Sequence, residues 1–319
     1  MVGEGHGIQG TAHSIFAERL LRLCYVQGER LLRFGFGRAP AFVCPCPTHR
    51  WTLRSARDEE TPSMATLGFI GSGKIGMAVA RLAVAAGIDV VLSNSRGPET
   101  LAEAVAELGG RARAATPEEA ARAGDWVVVS VPLSAYRDLP VDALAGKVVL
   151  DTSNYYPMRD GTIEVLDSGK TTTSELVQEH LVGAKLVKAF NNIGDFHIPA
   201  LARPVGADDR TALPIAGDDP EARASAAELI SRLGFDTVDV GTLADSWRFE
   251  PETDPYALPY FTDPDAAKAA FVQLAEALRA GAPLEMTSPD DPGAPLSAAR
   301  LRALLADTPR KLTADRVIA

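Results

Sequence analysis

The chain has 319 residues, of which 46% are hydrophobic and 23% charged, a composition typical of a soluble globular protein. Its formal net charge of −10 leaves no basic excess to neutralise phosphates, which excludes nucleic acid as the main partner. No apolar stretch approaches the ~20 residues that a membrane-spanning helix requires, so we predict a cytoplasmic protein without a membrane partner.

Residues 1–63 differ in composition from the rest of the chain. They contain all three cysteines, eight arginines, no lysine and six acidic residues, whereas residues 64–319 contain 24 basic and 36 acidic residues. The local charge is therefore +2 before Met64 and −12 from Met64 onward. We interpret residues 1–63 as an extension that is disordered or lies upstream of the true start at Met64.

Two alternatives for this extension stay open. Its many arginines suggest a targeting peptide, although the acidic residues among them are unusual in such a sequence. Cys44, Cys46 and His49 suggest a metal site, but a fourth ligand with suitable spacing is missing. We therefore predict that the protein holds no metal.

From Thr66 onward, short apolar runs alternate with helical patterns, which is typical of a parallel sheet with crossover helices. The runs that predict strands are residues 66–70, 89–92, 126–131, 148–151, 185–190, 213–216 and 237–240. The helical patterns between them are residues 75–86, 99–108, 117–123, 175–180 and 220–233. Several strands are continuous runs of Val, Ile and Leu, as expected for strands covered on both faces.

The sequence therefore predicts an α/β fold, a Rossmann-type doubly wound parallel sheet over residues 64–241. Two further helical patterns follow at residues 266–280 and 297–306, separated by a linker rich in Pro and Gly. We expect residues 242–319 to form a small C-terminal helical part.

A glycine motif lies between the first predicted strand and the first predicted helix. Its residues are Gly71, Ser72, Gly73, Lys74, Ile75 and Gly76. In such a motif the first glycine permits a tight turn, the second lets a pyrophosphate approach the backbone, and the third allows close packing of helix and strand. The helix N-terminus adds free N–H groups and a positive dipole. We predict that these six residues bind a dinucleotide.

The residues after the second strand indicate which dinucleotide binds. An NAD-binding protein usually has Asp or Glu here to hold the ribose 2′-hydroxyl, whereas this chain has Ser95 and Arg96. Because no carboxylate at this position repels a 2′-phosphate and Arg96 can bind it, the sequence favours NADP(H).

Ligands of open parallel sheets bind beyond the carboxyl ends of the strands. The residues expected to line the nicotinamide pocket at those ends are Val131, Pro132, Leu133, Asn154, Asn191, Asn192 and Ile193. These side chains scarcely ionise, whereas a carbonyl reductase normally needs a Lys, His or Tyr to move a proton. Lys185 and Lys188, on a neighbouring strand, either meet an anionic ligand or lie in solvent.

Several short strings resemble the NADPH-dependent reductases of coenzyme F420, a deazaflavin. They are Ser95-Arg96, the turn at Pro132, and segments 189–193, 214–219 and 239–250; the similarity covers about residues 66–255. The resemblance implies a homodimer that transfers a hydride directly between NADP(H) and coenzyme F420.

It also implies that Pro132 and Leu133, and the segment Asn191, Asn192 and Ile193, lie beside the two flat rings. The protein then has only to hold the rings face to face and exclude water.

Two other functions stay open. The turn from Asp151 to Asn154 resembles that of β-hydroxyacid and imine dehydrogenases, although the chain lacks their glycine-rich substrate loop. A non-catalytic NADP-binding sensor or scaffold would also need no acid or base. Hydride transfer between NADPH and coenzyme F420 is the main hypothesis.

Overall fold

The computed structural model describes residues 65–280, 289–311 and 313, which all lie in one compact unit, Glu60–Ala319. The extension at residues 1–63 lies outside the described residues, as do the targeting and metal-site alternatives for it. The boundaries proposed at residues 63/64 and 241/242 stay predictions.

The described residues form one eight-stranded sheet. Its strands are β1 Thr66–Ile70, β2 Asp89–Ser93, β3 Ala112–Ala114, β4 Trp126–Val129, β5 Val148–Asp151, β6 Lys185–Lys188, β7 Ala212–Gly217 and β8 Asp236–Gly241. The spatial order is β3-β2-β1-β4-β5-β6-β7-β8. The first six strands have the order and parallel pairing of a dinucleotide-binding fold, which confirms the predicted α/β class.

The sheet departs from the prediction in two respects. Strand β7 runs antiparallel to β6, so the sheet is mostly rather than wholly parallel, and β8 continues parallel to β7. Strand β3 was not predicted, because it is only three residues long and contains two alanines and the exposed Arg113 instead of an apolar run.

Helices cover both faces of the sheet. They are α1 Lys74–Ala85, α2 Ala102–Leu108, α3 Pro117–Ala123, α4 Val141–Leu144, α5 Pro157–Asp160, α6 Glu164–Asp167, α7 Thr173–His180, α8 His197–Leu201, α9 Pro220–Arg232, α10 Pro264–Arg279 and α11 Ala298–Asp307. Within β4, Val128 packs in one apolar cluster while Val127 and Val129 pack in another, because successive side chains of a strand point to opposite faces.

The residues after β8 pack onto the sheet. Two short 3₁₀ helices, Leu243–Phe249 and Leu258–Tyr260, precede α10, and α11 covers the edge formed by β7 and β8. Leu296 and Leu301 are fully buried, and Ala212 N donates a hydrogen bond to Leu296 O at 2.8 Å. No helix of the described residues is long and apolar enough to cross a membrane.

Candidate functional site

The turn after β1 requires a glycine at its first position. Gly71 has a φ of +101°, a region that disfavours other residues, and its N–H donates to Ser93 O at 3.0 Å. A Cβ atom at Gly71 would lie 2.1 Å from Ser130 O, in the turn after β4. The turns after β1 and β4 therefore touch at the point where the strand order reverses, which is where ligands of this fold bind.

The rest of the glycine motif combines close packing with open space. A Cβ at Gly76 would lie 2.5 Å from Gly71 O, whereas no atom lies within 4 Å of a Cβ built at Gly73. Helix α1 begins at Lys74, and no side chain caps its N-terminus by a hydrogen bond. The backbone at Gly73 is thus accessible next to uncapped N–H groups, an arrangement that fits a pyrophosphate.

The loop after β2 is held in place by Asn94. Its Oδ1 accepts a hydrogen bond from Arg96 N at 2.9 Å, and its Nδ2 donates to Thr100 Oγ1 at 2.9 Å. Ser95 and Arg96 are exposed, and the Arg96 guanidinium has no hydrogen bond or ion pair with any described residue. The geometry leaves both side chains accessible to a ligand. The carboxylate of Glu99 also approaches this loop, beside Gly97, which the sequence did not indicate.

The residues predicted beside the nicotinamide ring differ in accessibility. Pro132 is exposed and Val131 half-buried, whereas Leu133 is fully buried in an apolar cluster with Ile70 and Val129. Ile193 is 4% exposed, in the cluster on the other face of the sheet. Contact of a ring with Leu133 or Ile193 therefore requires their surroundings to rearrange, and their assignment to the site stays a prediction.

Asn154 and Asn191, at the ends of β5 and β6, are hydrogen-bonded to each other and both buried. Asn154 Nδ2 donates to Asn191 O at 2.7 Å, and Asn191 Nδ2 donates to Asn154 Oδ1 at 3.1 Å and to Phe249 O at 2.9 Å. The structure thus brings these two predicted site residues together under the C-terminal segment, residues 249–260, which follows β8.

Asn192 bonds to the same C-terminal segment. Its Nδ2 donates to Pro255 O at 3.1 Å and to Tyr260 OH at 2.9 Å. The side-chain oxygens of Asn191 and Asn192 are buried and have no hydrogen-bond partner among the described residues. Because a buried polar atom without a partner is costly, these two oxygens are candidate acceptors for a donor on a ligand.

Two tyrosines complete this region: Tyr156, in the stretch after β5 that the sequence places at the pocket, and Tyr256, which the sequence did not indicate. The hydroxyls of Tyr156 and Tyr256 are in direct hydrogen-bond contact, and Asn154 Nδ2 also donates to Tyr256 OH at 3.2 Å. Burial raises the pKa of the Tyr156 phenol, and it raises the pKa of the Tyr256 phenol well above its usual value. Both are therefore protonated at neutral pH.

Backbone strain is found where the C-terminal segment meets the end of β6. Three non-glycine residues among those described have positive φ: Phe190 at 57°, Glu252 at 72° and Ala257 at 54°. Phe190 directly precedes Asn191, and Ala257 N donates to Asn192 O at 3.0 Å. Strained backbone of this kind is costly and often found at functional sites.

Lys188 lies in the interior, which contradicts the alternative that it lies in solvent. Its Nζ contacts Ser153 O at 3.0 Å, Ser174 Oγ at 3.1 Å and Glu250 Oε1 at 3.2 Å. Ser174 Oγ in turn donates to Asp151 Oδ2 at 2.6 Å. The ammonium therefore joins β6 to the loop after β5, to α7 and to the C-terminal segment.

Lys185, by contrast, lies at the surface. Its side chain is 39% exposed, and its Nζ forms an ion pair with Asp219 Oδ2 at 2.8 Å. The hydrogen bond from Lys185 is the main cause that lowers the pKa of the Asp219 carboxyl.

The fold, the strand order and the glycine turn place the chain in the class of dinucleotide-binding proteins with a Rossmann-type fold. Residues 66–155 match the model of a family described as "NADP oxidoreductase coenzyme F420-dependent". The resemblance to the F420-dependent NADP oxidoreductase family, predicted from the sequence, is thereby confirmed.

Individual proteins resemble the chain over different extents. It is 29% identical to "Metalloreductase STEAP3" of Rattus norvegicus over 194 residues, which are 60% of this chain and 37% of that protein. The chain thus spans little more than a third of this curated relative.

Two solved structures are also similar. The hypothetical protein SMa0349 from Sinorhizobium meliloti is 35% identical, with a TM-score of 0.51, over 58% of this chain and 88% of that chain. A protein from Arthrobacter sp. FB24, described provisionally as an F420-dependent NADP reductase, is 20% identical, with a TM-score of 0.49, over 69% of this chain and 96% of that chain.

Proposed function

We propose that this site binds NADPH and transfers its hydride to a flat acceptor, the deazaflavin coenzyme F420. The observation that carries the proposal is the match of residues 66–155 to the F420-dependent family, because this segment contains both the glycine turn and Asn154. When bound, NADPH supplies the hydride from C4 of its nicotinamide, so the protein has to bind and orient rather than form covalent intermediates.

We assign the binding of NADPH to three parts of the chain. The open backbone at Gly73 and the uncapped N-terminus of α1 hold the pyrophosphate, with Ser72, Lys74 and Ile75 beside it. Ser95 and Arg96 hold the 2′-phosphate, supported by their exposure and by a guanidinium that pairs with no described residue. Val131 and Pro132 contact the nicotinamide end.

We assign the acceptor side to the amides at the ends of β5 and β6. The unpartnered Oδ1 atoms of Asn191 and Asn192 suit the N–H donors of a carboxamide or of a deazaflavin ring edge. Asn154 fixes the position of Asn191 through two hydrogen bonds. The C-terminal segment from Phe249 to Tyr260 closes the region and limits the access of water.

The test mixes purified full-length protein with NADPH and oxidised coenzyme F420 and follows bleaching of the deazaflavin absorbance. We expect bleaching that depends on both components and is faster with NADPH than with NADH. Tight NADPH binding without bleaching would contradict the proposal and leave an imine or β-hydroxyacid dehydrogenase, or a non-catalytic sensor, as the function. Adding a cyclic imine or a 3-oxoacid instead of the deazaflavin distinguishes those outcomes.

We further propose that the protein is a cytoplasmic homodimer, as the family resemblance implies. Sedimentation equilibrium should then give twice the mass of 33.8 kDa for the chain. A monomer that retains full activity would contradict the homodimer and leave the proposed reaction unaffected.

A further inference from the structure

The Tyr156–Tyr256 contact leaves one phenolic hydrogen without an acceptor in the part of the chain that the structure describes. Two hydroxyl groups that contact each other share a single hydrogen bond, so only one of their two hydrogens is used in it. Asn154 Nδ2 donates a hydrogen bond to Tyr256 OH, so this contact uses the oxygen of Tyr256 and not a phenolic hydrogen. Among the described residues, neither hydroxyl has another acceptor. Whichever tyrosine donates to the other, one O–H remains available for a ligand.

This pair lies at the proposed acceptor site. Tyr156 follows β5 two residues after Asn154, and the residue as a whole is half-buried. Tyr256 is 7% exposed and comes from the C-terminal segment that covers the ends of β5 and β6. The pair is joined through Asn154 to Asn191, the residue with an unpartnered buried oxygen.

The charged groups near the pair have both signs. The Arg159 guanidinium lies 5.0 Å from the centre of the Tyr156 ring and donates to Asn154 O at 2.8 Å, so it favours a phenolate. Asp160 and Glu250 disfavour a phenolate, and Asp160 Oδ2 accepts a hydrogen bond from Tyr156 N at 3.0 Å. Arg159 is the positively charged residue among these three, and its guanidinium stacks on the ring of Tyr156.

We propose that the Tyr156–Tyr256 pair donates a proton to the acceptor during its reduction; this rests on the proposed function. Hydride adds to an electrophilic carbon of the acceptor, and the displaced electron pair moves to a conjugated nitrogen or oxygen. The phenol O–H bond breaks, and its proton bonds to that nitrogen or oxygen. The phenolate left behind is stabilised by its partner hydroxyl and by Arg159, and it takes a proton from water through the half-buried Tyr156. The acceptor class is therefore a flat conjugated ring or imine that gains a hydride and a proton.

The experiment compares the full-length variants Tyr156→Phe, Tyr256→Phe and the double variant with the unmodified protein. The acceptors are oxidised coenzyme F420 and, in parallel, the cyclic imine pyrroline. We expect the double variant to lose about 100-fold in the rate of single-turnover hydride transfer, since positioned general acids typically contribute 10²–10⁴-fold. The normal solvent isotope effect on hydride transfer in the unmodified protein should disappear in the double variant. The Kd of the double variant for NADPH should stay within about twofold of the unmodified value.

Binding gives a readout that does not depend on turnover. A site that donates a hydrogen bond to the electron-rich product should hold reduced coenzyme F420 more tightly than the oxidised form. The double variant should lose about tenfold in affinity for the reduced form and little for the oxidised form, as expected for one hydrogen bond to a charged group.

Tyr155→Phe is the matched control, because it also removes a buried phenol hydroxyl. That hydroxyl contacts Gly161 O at 3.0 Å, Asp167 Oδ1 at 2.9 Å and Ile163 N at 3.0 Å, all between β5 and the end of α6. Its loss should lower the melting temperature but leave the solvent isotope effect and the transfer rate unchanged.

The outcomes separate the two proposals. Full activity and an unchanged isotope effect in the double variant would overturn the proton-donor role alone. Reduction of the imine but not of coenzyme F420 would overturn the deazaflavin proposal. The rate of imine reduction by the tyrosine variants would then test the proton-donor role. Reduction of neither acceptor would overturn both.

Discussion

At the scale of single residues, Arg96 determines the expected preference for NADPH. Its guanidinium is exposed and unpaired among the described residues, and the loop is held by Asn94 and Thr100 instead of by the arginine side chain. Arg96→Ala should therefore keep the loop geometry and raise the KM for NADPH by about tenfold, the loss of a charge-assisted hydrogen bond at an exposed site. The KM for NADH should change little.

Glu99→Gln provides the opposite control in the same loop. Removing this carboxylate, which lies beside Gly97, should lower the KM for NADPH slightly because the 2′-phosphate loses a repulsive neighbour. Equal effects of Arg96→Ala on both dinucleotides, measured in steady-state kinetics, would mean that the 2′-phosphate binds elsewhere.

Two glycines of the same turn should respond differently to alanine. Gly73→Ala adds a Cβ where no atom lies within 4 Å, at a φ of −75°, so the melting temperature should stay the same. Affinity for NADPH should nevertheless fall by at least about tenfold, because the methyl group occupies the space assigned to the pyrophosphate. Calorimetric titration with NADPH measures the change.

Gly71→Ala is the structural counterpart. Its Cβ would lie 2.1 Å from Ser130 O at a φ of +101°, so the melting temperature itself should fall. If Gly73→Ala bound NADPH as tightly as the unmodified chain, the pyrophosphate could not lie against this turn.

At the scale of elements, the buried ion pair of Lys188 and Glu250 joins β6 to the C-terminal segment. Lys188→Met leaves Glu250 buried without its counter-charge and should lower the free energy of unfolding by about 3–5 kcal/mol. The double variant Lys188→Met with Glu250→Gln removes the unpaired charge and retains an acceptor for Thr173 N, so it should recover part of this loss. Urea unfolding of the three proteins measures these values.

The same pair should also matter for the acceptor site. Lys188 holds Ser153 O, next to Asn154, and Glu250 follows Phe249, whose carbonyl accepts from Asn191. The double variant should therefore raise the KM for the acceptor while leaving the Kd for NADPH unchanged. A loss confined to stability, with the acceptor KM unaltered, would limit the pair to a structural role.

His197, at the start of α8, should make stability depend on pH. It is fully buried, and its Nε2 lies 3.1 Å from Asp291 Oδ1, in the stretch before α11. Burial lowers the pKa of the imidazole more than the contact with Asp291 raises it. Below about pH 6.5 the unfolded chain therefore binds a proton that the folded protein does not, so stability should fall as the pH decreases.

Asp291 should not contribute to that decrease. Burial raises the pKa of its carboxyl, but hydrogen bonds from Thr262, His197 and Gly293 outweigh this effect and lower the pKa to about 2. Its stabilising effect is thus complete above about pH 4 and is lost only as the pH approaches 2. Melting temperatures between pH 8 and 5 should decrease in the unmodified chain and decrease less in His197→Gln; identical slopes would rule out His197.

Local sequence patterns predicted the parallel elements well and the direction of β7 poorly. Strands such as Val148–Asp151 were located because strands covered on both faces leave continuous apolar runs. The direction of β7 depends on the path of residues 189–211, in which no periodic pattern indicates the reversal.

The same limit explains which parts of the site were missed. The glycine turn is local, and its spacing indicated its position. Tyr256 lies 102 residues from its partner Asn154, so only the folded chain brings them together. Lys188 is buried because the pleat of the strand places it on the same face as Leu186. Its ion-pair partner, the carboxylate of Glu250, is distant in sequence, so the position of Lys188 at the end of a strand did not indicate it.

At the scale of the whole molecule, the charge of −12 on residues 64–319 opposes an anionic dinucleotide. This repulsion is long-range and is screened first, as the Debye length shortens from about 30 Å at 0.01 M salt to about 8 Å at 0.15 M. The contact proposed between Arg96 and the 2′-phosphate is short-range and is weakened by the same salt. Because the two effects oppose each other, the Kd for NADPH should change by less than about threefold between these concentrations.

The variant Arg96→Ala separates the two effects. Without Arg96, the local attraction is reduced to Lys74 and the N-terminus of α1, and we expect the overall repulsion to be the larger effect that salt screens. NADPH should therefore bind this variant more tightly at 0.15 M than at 0.01 M salt, the reverse of a basic nucleotide-binding protein. NADH, which lacks the 2′-phosphate, should show the same direction of change in both proteins. Fluorescence titration of bound NADPH measures each Kd. If salt instead weakened the binding of NADPH to Arg96→Ala, attraction by other cationic groups would have to exceed the overall repulsion at the site. The N–H donors of the glycine turn and of α1 would then not suffice to hold the dinucleotide.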